Sequence, residues 1–320
     1  MTGGPKHLLH VGMPKTGTNY LREWFGLHPQ VGYAPSGIAG FGDVYAIVRE
    51  AADPPAVPLR WRVTSCEGFA IPTPGFGGFV SDVTTVHATA WPASRDAACS
   101  TLAGLFPGAH VLLVTRGFES ILGSFWSQYV RTGGDLPFDA FCAAVADRAA
   151  AGRNPLNYDA LVTTYRGAFG TDRVHVLPYE LLRDDHLAFG REIEVRLGLD
   201  AIESPEHRVN ESLTATELLW YRRGSWIVRR LPVSERSRGR VLRRYVAAIN
   251  RGRAGRLGRV VSVLDRAPAM PRSSPIVPAW LVEGVAGHAE LLRGLPNFEP
   301  YAAEYRWAGT SLDDAGGAGS

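Results

Sequence analysis

Residues 8–25 read LLHVGMPKTGTNYLREWF and combine three local patterns. The first, LLHVG, is short and apolar, as expected of a buried strand. The last places Leu21, Trp24 and Phe25 on one helical face, and this helix is predicted to end before Pro29 because the residue preceding a proline disfavours helical backbone. A glycine-containing loop joins the two. Strand, loop and helix in this order form the local structure in which phosphate-binding loops occur.

The loop departs from the usual nucleotide-binding pattern, G-x-x-x-x-G-K-[ST], in the position of its lysine. Gly12 and Gly17 have the required spacing, but Thr18 follows the second glycine and the lysine stands at Lys15. Backbone N–H groups of such a loop bind an anion together with the helix dipole, and Thr16 and Thr18 add hydroxyl donors. A glycine pair alone also fits a tight turn, so the prediction of a phosphate site depends on the flanking strand, helix and lysine.

The chain up to residue 199 alternates between strand-like and helix-like patterns. This alternation predicts an α/β fold with a doubly wound, mostly parallel central sheet flanked by helices. Beyond residue 200 the patterns are helical, with a break at Pro232 and a last helix at 278–295. The other predicted elements are strands at 78–86, 110–116 and 173–180, helices at 96–106, 118–130, 138–151 and 157–169, a helix that ends at 197–199, and mostly loop at 30–78.

Composition favours a soluble globular protein. The chain is 45% hydrophobic and 20% charged, and no apolar run reaches the roughly 20 residues of a membrane span. MTGGPKHLLHVG enters the first strand without a signal-peptide pattern, so we expect a cytoplasmic location. The three cysteines, Cys66, Cys99 and Cys142, lack metal-binding spacing and are expected to be reduced thiols.

Basic residues are distributed unevenly. Among 34 Lys and Arg side chains only Lys6 and Lys15 are lysines, a preference that suggests GC-rich bacterial coding. The net charge is +3, but residues 220–260 hold 13 arginines and one acid, Glu235, giving 13 − 1 = +12 and leaving 3 − 12 = −9 for the remainder. Three interpretations of this segment stay open: a solvated face, a site for an anionic acceptor or a lid over a bound phosphate, and a nucleic-acid surface, for which no reader motif is present.

A second motif, VTRGFESILGSFW, follows the strand predicted at 110–116. Ligands of open α/β sheets bind beyond the C-terminal ends of the strands, where Arg116 stands. Ser124 follows eight residues later on the predicted helix. A strand-end arginine and a serine on the next helix predict a clamp for a second phosphate, with the arginine supplying a bidentate contact. Either residue alone also fits a structural role, so the prediction depends on both occurring beside the first loop.

With these motifs the sequence resembles the sulfotransferases that use 3′-phosphoadenosine 5′-phosphosulfate (PAPS). The family's 3′-phosphate signature, an arginine and a serine separated by seven residues, matches Arg116 and Ser124. A Tyr-Glu at the end of a later strand matches LPYELL, which contains Tyr179. The resemblance covers about residues 7–200, and a weaker similarity extends over residues 207–217. The family's donor loop, P-K-x-G-T, matches Pro14, Lys15, Thr16, Gly17 and Thr18.

The resemblance implies a role for each matched residue. The loop and the adjoining Asn19 would hold the 5′-phosphosulfate, Arg116 and Ser124 the 3′-phosphate, and Tyr20 and Tyr179 would lie against the adenine. The resemblance assigns Lys15 to catalysis, because a compact, mobile ammonium can follow the bridging oxygen on which charge develops as the S–O bond opens. PAPS is then the co-substrate and adenosine 3′,5′-bisphosphate (PAP) the product, and no metal is expected.

Two candidates for the general base remain open, both in the stretch SDVTTVHATAW. His87 has an ordinary imidazole pKa suited to proton transfer near neutral pH, although its distance along the chain from Arg116 exceeds the family's pattern. Asp82 lies on the strand predicted at 78–86, which ends just before His87. A histidine in a buried or solvated loop position fits His87 equally well.

We therefore predict a single sulfotransferase-like domain over 1–320. It comprises an α/β donor-binding core at 7–200, an Arg-rich helical region at 201–308 that contributes to an acceptor pocket or lid, and a disordered tail at 309–320. The predicted activity is in-line sulfuryl transfer from PAPS to a hydroxyl or amine of a small-molecule, sugar or secondary-metabolite acceptor. A homodimer is compatible with the sequence, and nucleic acid is not the expected partner.

Two alternatives come from other functional classes. One is a P-loop kinase or nucleotide hydrolase with a degenerate loop. The other is a non-enzymatic nucleotide-fold protein that uses its basic segment on an anionic partner. A kinase loop normally places a Ser or Thr magnesium ligand directly after the loop lysine, as the third residue of G-K-[ST], whereas here the lysine precedes the second glycine.

Overall fold

The central sheet has five strands in the order β2–β3–β1–β4–β5, and every neighbouring pair is parallel. The computed structural model describes residues 4–33, 52, 56–66, 69–70, 91–150, 156–205, 213–252, 255–264, 276–285 and 287–307. The strands are β1 (Lys6–Gly12), β2 (Val31–Tyr33), β3 (Trp61–Cys66), β4 (His110–Thr115) and β5 (Val174–Pro178). The α/β class and the parallel sheet predicted from the sequence are confirmed.

Helices connect and cover the strands. In the N-terminal part these are α1 (Thr18–Leu27), α2 (Trp91–Leu105), α3 (Phe118–Arg131), α4 (Phe138–Ala150), α5 (Tyr158–Phe169), α6 (Tyr179–Asp184) and α7 (His186–Leu197). The C-terminal part contains α8 (Ala215–Arg229), α9 (Glu235–Asn250), α10 (Arg256–Leu264) and α11 (Ala279–Val285). No helix within the described ranges is long and apolar enough to cross a membrane.

Two buried clusters lie on opposite faces of the sheet. Alternate residues of β1 enter different clusters: Leu8 packs with Trp24 of α1 and Phe189 of α7, whereas Leu9 packs with residues of α3 and α5 such as Phe118 and Tyr165. Because helices cover both faces, the central strands are buried on both sides, from Leu8 to Gly12 in β1 and from Val111 to Thr115 in β4. This explains why LLHVG and HVLLVT are mostly apolar instead of alternating between apolar and polar residues.

The structure also corrects several predicted elements. Strands β2 and β3 lie within 30–78, where we predicted mostly loop; both are short, and a glycine- and proline-rich context hides their pattern. The predicted strand at 173–180 ends at Pro178, and the following Tyr-Glu opens α6. The last helix ends at Val285 rather than 295, and Gly287 follows with a φ of 83°. The predicted strand at 78–86 and the tail at 309–320 lie outside the described residues.

Candidate functional site

The candidate site lies where the chain leaves the C-terminal ends of β1 and β4. These strands are neighbours, with Gly12 opposite Val114 in the register. β1 has β3 on its other side, so the order of the strands reverses between β1 and β4. In doubly wound folds this reversal opens a crevice that binds ligands. The predicted phosphate loop and Arg116 follow directly after these two strand ends.

The loop after β1 has a left-handed backbone at two positions. Lys15 has a φ of 70° and Gly17 a φ of 82°. The Thr16 hydroxyl donates to the Met13 carbonyl oxygen at 2.7 Å and closes the turn from inside. A Cβ on Gly17 would lie 2.3 Å from Leu182 Cδ2, so the close approach of α6 also requires glycine here. A left-handed lysine is uncommon, and backbone of this kind directs successive N–H groups toward one side, as in anion-binding nests.

The N-terminus of α1 presents donors that the protein leaves without a capping group. Its N-cap is Gly17, which has no side chain to accept from the first-turn N–H groups, and no acidic residue lies in that turn. Thr18 is only 3% exposed, and its Oγ1 has no hydrogen-bond partner among the described residues. A buried hydroxyl without a partner costs about 1–3 kcal/mol. A ligand oxygen at this helix terminus would supply the missing partner.

Arg116 joins the two sides of the crevice. Its Nη1 donates to the carbonyl oxygen of Lys15 at 2.8 Å, and its Nε donates to Ser120 Oγ at 3.0 Å. The guanidinium carbon lies 4.3 Å from the centroid of the Tyr179 ring, a cation–π contact. The Tyr179 ring in turn borders the loop, since a Cβ on Gly17 would lie 3.5 Å from its Cδ2. The structure thus brings together Lys15, Gly17, Arg116 and Tyr179, which are far apart in the sequence.

The backbone around Arg116 is held by groups from three other elements. The Tyr158 hydroxyl donates to the Arg116 carbonyl oxygen at 2.5 Å. Gly117 N donates to Glu180 Oε1 at 2.8 Å, and Phe118 N donates to the Glu304 carbonyl oxygen at 3.0 Å. These bonds fix the turn between β4 and α3 and therefore the direction of the Arg116 side chain.

Glu180 is a buried carboxyl at the centre of this framework. Its Oε2 accepts a hydrogen bond from the Tyr305 hydroxyl at 3.0 Å, and the same hydroxyl lies 2.9 Å from Thr115 Oγ1. Burial and, to a smaller degree, the nearby charge of Glu304 together raise the pKa of Glu180 from 4.5 to about 7, although the bonds from Gly117 N and the Tyr305 hydroxyl act against the rise. The carboxyl therefore exchanges its proton near neutral pH.

We expect Glu180→Gln to remove a pH dependence of stability. Because the pKa of Glu180 is raised from 4.5 to about 7 on folding, the native protein holds this proton more tightly than the unfolded chain. The free energy of unfolding should therefore fall as the pH rises from about 4.5 to about 7. Glutamine keeps both contacts, because its amide nitrogen can donate to the Tyr305 oxygen while its oxygen accepts from Gly117 N.

Urea unfolding of both proteins between acidic and slightly alkaline pH measures this difference. Above neutral pH the variant should be the more stable protein, and the two should converge at the acidic end. The exposed Glu299→Gln serves as the control and should reproduce the wild-type profile. A constant difference between Glu180→Gln and the wild type across the range would contradict the assignment.

The other residues predicted for the site lie apart from the Arg116 contacts. Ser124 is 6% exposed and follows Ser120 by one helical turn on the same side of α3. Tyr20 is 6% exposed; its ring packs edge-on against Phe189, and its hydroxyl donates to the His186 carbonyl oxygen at 3.1 Å. Protein therefore covers nearly all of the Tyr20 side chain. Pro14 is partly buried, Asn19 is exposed, and His87 and Asp82 lie outside the described residues.

Sequence reasoning missed Ser120, Glu180 and Tyr305. For Ser120 a signal existed, because a serine four residues after a strand-end arginine falls within its reach once a helix begins at Phe118. Glu180 stood beside Tyr179 in the motif, without any indication of its partner. Tyr305 lies 125 residues from Glu180, and nothing local in the sequence connects them. Within the described ranges, no group of three or more His, Cys, Asp or Glu side chains is placed to hold a metal ion.

The solved structures that are similar to this chain at low sequence identity include two sulfotransferases. One is a sulfotransferase from Alicyclobacillus acidocaldarius, with 16% identity, a TM-score of 0.43, and coverage of 66% of this chain and 87% of that one. The other is mouse sulfotransferase SULT7A1 complexed with PAP, with 15% identity, a TM-score of 0.34, and coverage of 69% and 64%. No protein-family model and no curated protein sequence matches the chain.

Proposed function

We propose that this protein is a sulfotransferase that transfers the sulfuryl group of PAPS to a hydroxyl or amine of a small-molecule or sugar acceptor. The observation that carries the proposal is the junction of two motifs: Arg116 donates to the carbonyl oxygen of Lys15, beside a helix N-terminus that lacks a cap. PAPS carries two anionic groups on one nucleoside, a 5′-phosphosulfate and a 3′-phosphate. A loop and a strand-end arginine in contact support a ligand with two such groups.

The residues divide between the two anions in this proposal. The loop amides and the Thr18 hydroxyl hold the 5′-phosphate at the N-terminus of α1. The Arg116 guanidinium has five N–H donors, two of which bind Lys15 and Ser120, and the others are directed to the 3′-phosphate together with Ser124. Tyr179 stacks on Arg116 and offers its ring near the adenine. Tyr20 would reach the adenine only after the packing of its ring against Phe189 had opened.

Lys15 carries the proposed chemistry. In an in-line displacement, a bond forms between the acceptor oxygen or nitrogen and sulfur, while the bond from sulfur to the bridging oxygen breaks. PAP leaves with that electron pair, and the acceptor's proton passes to a general base. The Lys15 ammonium stabilises the charge that develops on the bridging oxygen. His87 and Asp82 remain the proposed candidates for the base.

One described histidine near the loop is poorly suited to the role of base. His10 lies on β1, is fully buried, and shares a hydrogen bond of 2.8 Å with Ser65 Oγ. Burial and the charge of Arg22 lower the pKa of His10 to about 3. Such an imidazole binds a proton too weakly for general base catalysis near neutral pH.

A thermal-shift titration tests the proposal. Ligands that bind only the native state raise the melting temperature according to their affinity and concentration. We expect PAP to stabilise the protein by several degrees and adenosine 5′-monophosphate to stabilise it less, because that nucleotide lacks the 3′-phosphate. ATP with magnesium should have the smallest effect. Stabilisation by ATP–magnesium but not by PAP would overturn the proposal in favour of a kinase or nucleotide hydrolase.

Thr18→Val sharpens this experiment. Valine removes the buried hydroxyl that has no partner, so the ligand-free variant should be at least as stable as the wild type. Its stabilisation by PAP should shrink, because one donor to the 5′-phosphate is gone. Thr64→Val is the matched control: Thr64 is equally buried, but its Oγ1 bonds His7 Nε2 at 2.9 Å. The control should melt earlier and keep the full response to PAP; the same response to PAP in both variants would remove Thr18 from the site.

A further inference from the structure

The arginine-rich segment folds into three helices that pack on one another. α8 packs against α3, and α9 and α10 pack against α8 and against each other. A hydrogen bond of 2.9 Å from the Tyr245 hydroxyl to the Tyr221 carbonyl oxygen joins α9 to α8. We define the basic outer surface as the exposed side chains of α8, α9 and α10 and of the turns that join them. Its residues take no part in the candidate donor site described above.

Some arginines of the segment have structural partners. Arg229 donates to the Gly133 carbonyl oxygen at 3.0 Å, and Arg222 donates to that of Asp135 at 3.5 Å. Arg238 caps the turn before α9 by donating to the carbonyl oxygens of Leu231 and Val233. These side chains hold the helices to the end of α3 and to the preceding turn. Their charges are therefore explained by the fold.

A second set of arginines on α9 has no such role. These side chains are exposed, and none forms a hydrogen bond or ion pair with another described residue. Their spacing of three to four residues, or multiples of it, places them along one side of the helix. From the first to the last the stripe extends for about 22 Å, at 1.5 Å per residue. The set consists of Arg236, Arg240, Arg243 and Arg244 on α9 and Arg251, which directly follows the helix.

The same segment concentrates exposed apolar side chains. Trp226 and Ile227 on α8 are 47% and 56% exposed, and Val260 and Val263 on α10 are 62% and 64% exposed. With Val233 and Val241 they make six of the 14 large hydrophobic residues exposed in the described chain, so the segment holds far more than an even share. Exposed apolar groups concentrated on helices that pack on one another are typical of interaction surfaces.

Arginines surround these apolar groups. Directly after α8, the Arg230 guanidinium carbon lies 4.2 Å from the Trp226 ring centroid, and its Nη1 lies 3.5 Å from Asp135 Oδ2. The exposed Arg223 precedes Trp226 by three residues on α8. On α10 the exposed Arg256 and Arg259 lie on the same side as Val260 and Val263. Apolar and cationic groups therefore alternate over the surface, and a partner must satisfy both.

We propose that the basic outer surface docks on an anionic lipid bilayer. The charge of +12 on residues 220–260 selects a negatively charged partner and opposes pairing with a second copy of the same surface. A nucleic acid would satisfy the arginines, but its phosphates offer nothing to the exposed Ile227, Val260 and Val263. A bilayer satisfies both: its phosphates bind the arginines, and Trp226 with the aliphatic side chains enters the boundary between head groups and acyl chains.

Co-sedimentation with lipid vesicles tests this inference on the full chain. The probes are vesicles of phosphatidylcholine alone and of phosphatidylcholine with phosphatidylglycerol in a two-to-one ratio. We expect binding to the mixed vesicles to be at least tenfold tighter and to weaken as salt screens the arginines. Replacing Arg240, Arg243 and Arg244 together by Gln should weaken binding to the mixed vesicles on the order of 100-fold, since each basic residue near such a surface contributes about 1 kcal/mol.

Two further variants separate the contributions. Trp226→Ser with Val260→Ser should abolish the part of the binding that resists salt and leave the salt-sensitive part. The control replaces three exposed arginines elsewhere, Arg173, Arg191 and Arg293, by Gln, and should bind like the wild type. Circular dichroism melting verifies that each variant is folded.

Other outcomes would overturn the inference. Equal binding to both kinds of vesicle, absent binding, or an equal effect of the control substitutions would each do so. Tighter binding to a short DNA duplex than to the mixed vesicles, unchanged by Trp226→Ser and Val260→Ser, would assign the surface to nucleic acid instead. Concentration-dependent self-association abolished by the same substitutions would assign it to a second copy. Each result is independent of donor binding, so it does not test the proposed transferase activity.

Discussion

Lys15→Ala is expected to lower turnover by a factor of about 1,000 or more and to change PAP affinity far less. The reason is that the lysine is proposed to act on the bridging oxygen, which gains negative charge only as the S–O bond opens. Removing a single group that stabilises developing charge lowers kcat by about 100- to 1,000-fold in other enzymes, and the loss of a full cation belongs at the upper end. The substitution also leaves the backbone carbonyl that accepts from Arg116 in place.

The measurement is transfer of labelled sulfate from PAPS to extracts of the source cell, with PAP affinity measured separately by thermal shift. Lys6→Ala provides the matched control, because Lys6 is the only other lysine and stands at the opposite end of β1, over the Trp61 ring. Lys15→Arg should recover little activity, since a rigid guanidinium fork does not follow a moving charge as an ammonium does. Full turnover in Lys15→Ala would remove the lysine from the chemistry.

Arg116→Ala is expected to weaken PAP binding by about 100-fold. Charge-assisted contacts between an arginine and a phosphate are among the stronger hydrogen bonds, and a buried partner left unpaired raises the cost of losing them. The substitution also removes the bonds to Lys15 and Ser120, so the loop loses its tie to the β4 side of the crevice. Because Tyr158, Glu180 and Glu304 hold the backbone of this turn independently, the fold should persist.

The comparison of PAP with adenosine 5′-monophosphate identifies which phosphate Arg116 binds. In the wild-type protein PAP should bind more tightly than the monophosphate, and this preference should collapse in Arg116→Ala. Measuring both nucleotides on both proteins gives a thermodynamic cycle, which isolates the coupling between one side chain and one ligand group. Arg293→Ala, an exposed arginine on the far C-terminal segment, is the control and should keep the preference. Equal weakening of both nucleotides would show that Arg116 acts by positioning the loop rather than by contacting the 3′-phosphate.

These two experiments address different parts of one site. Lys15 and Arg116 are in direct contact through the loop backbone, yet the proposal assigns catalysis to one and donor affinity to the other. A loss of turnover with little loss of affinity in the first variant, and the reverse in the second, would support that division. If both variants lost only affinity, the site would be one for nucleotide binding without transfer.

Patterns between neighbouring residues were sufficient for several parts of the fold. The apolar runs of β1 and β4 and the helices after them are visible in the sequence because a buried parallel strand and an amphipathic helix each need a characteristic local pattern. β2 and β3 were not predicted, because a strand of three or six residues in a glycine- and proline-rich context is recognised only through its pairing with a neighbour. The end of β5 was also mispredicted: the strand ends at Pro178, and Tyr179 begins α6 instead of continuing the strand.

The sequence by itself therefore determined the strand–loop–helix around Lys15 and the presence of an arginine at the end of another buried strand. Both are local, and each follows from residues within one or two turns of the chain. Only the tertiary structure decided that Arg116 donates a hydrogen bond to the Lys15 carbonyl oxygen, 101 residues away, and that the Tyr305 hydroxyl donates to the Glu180 carboxylate. The physical reason is that such contacts depend on strand order and packing. Residues far apart along the chain carry no local pattern that records which of them will meet.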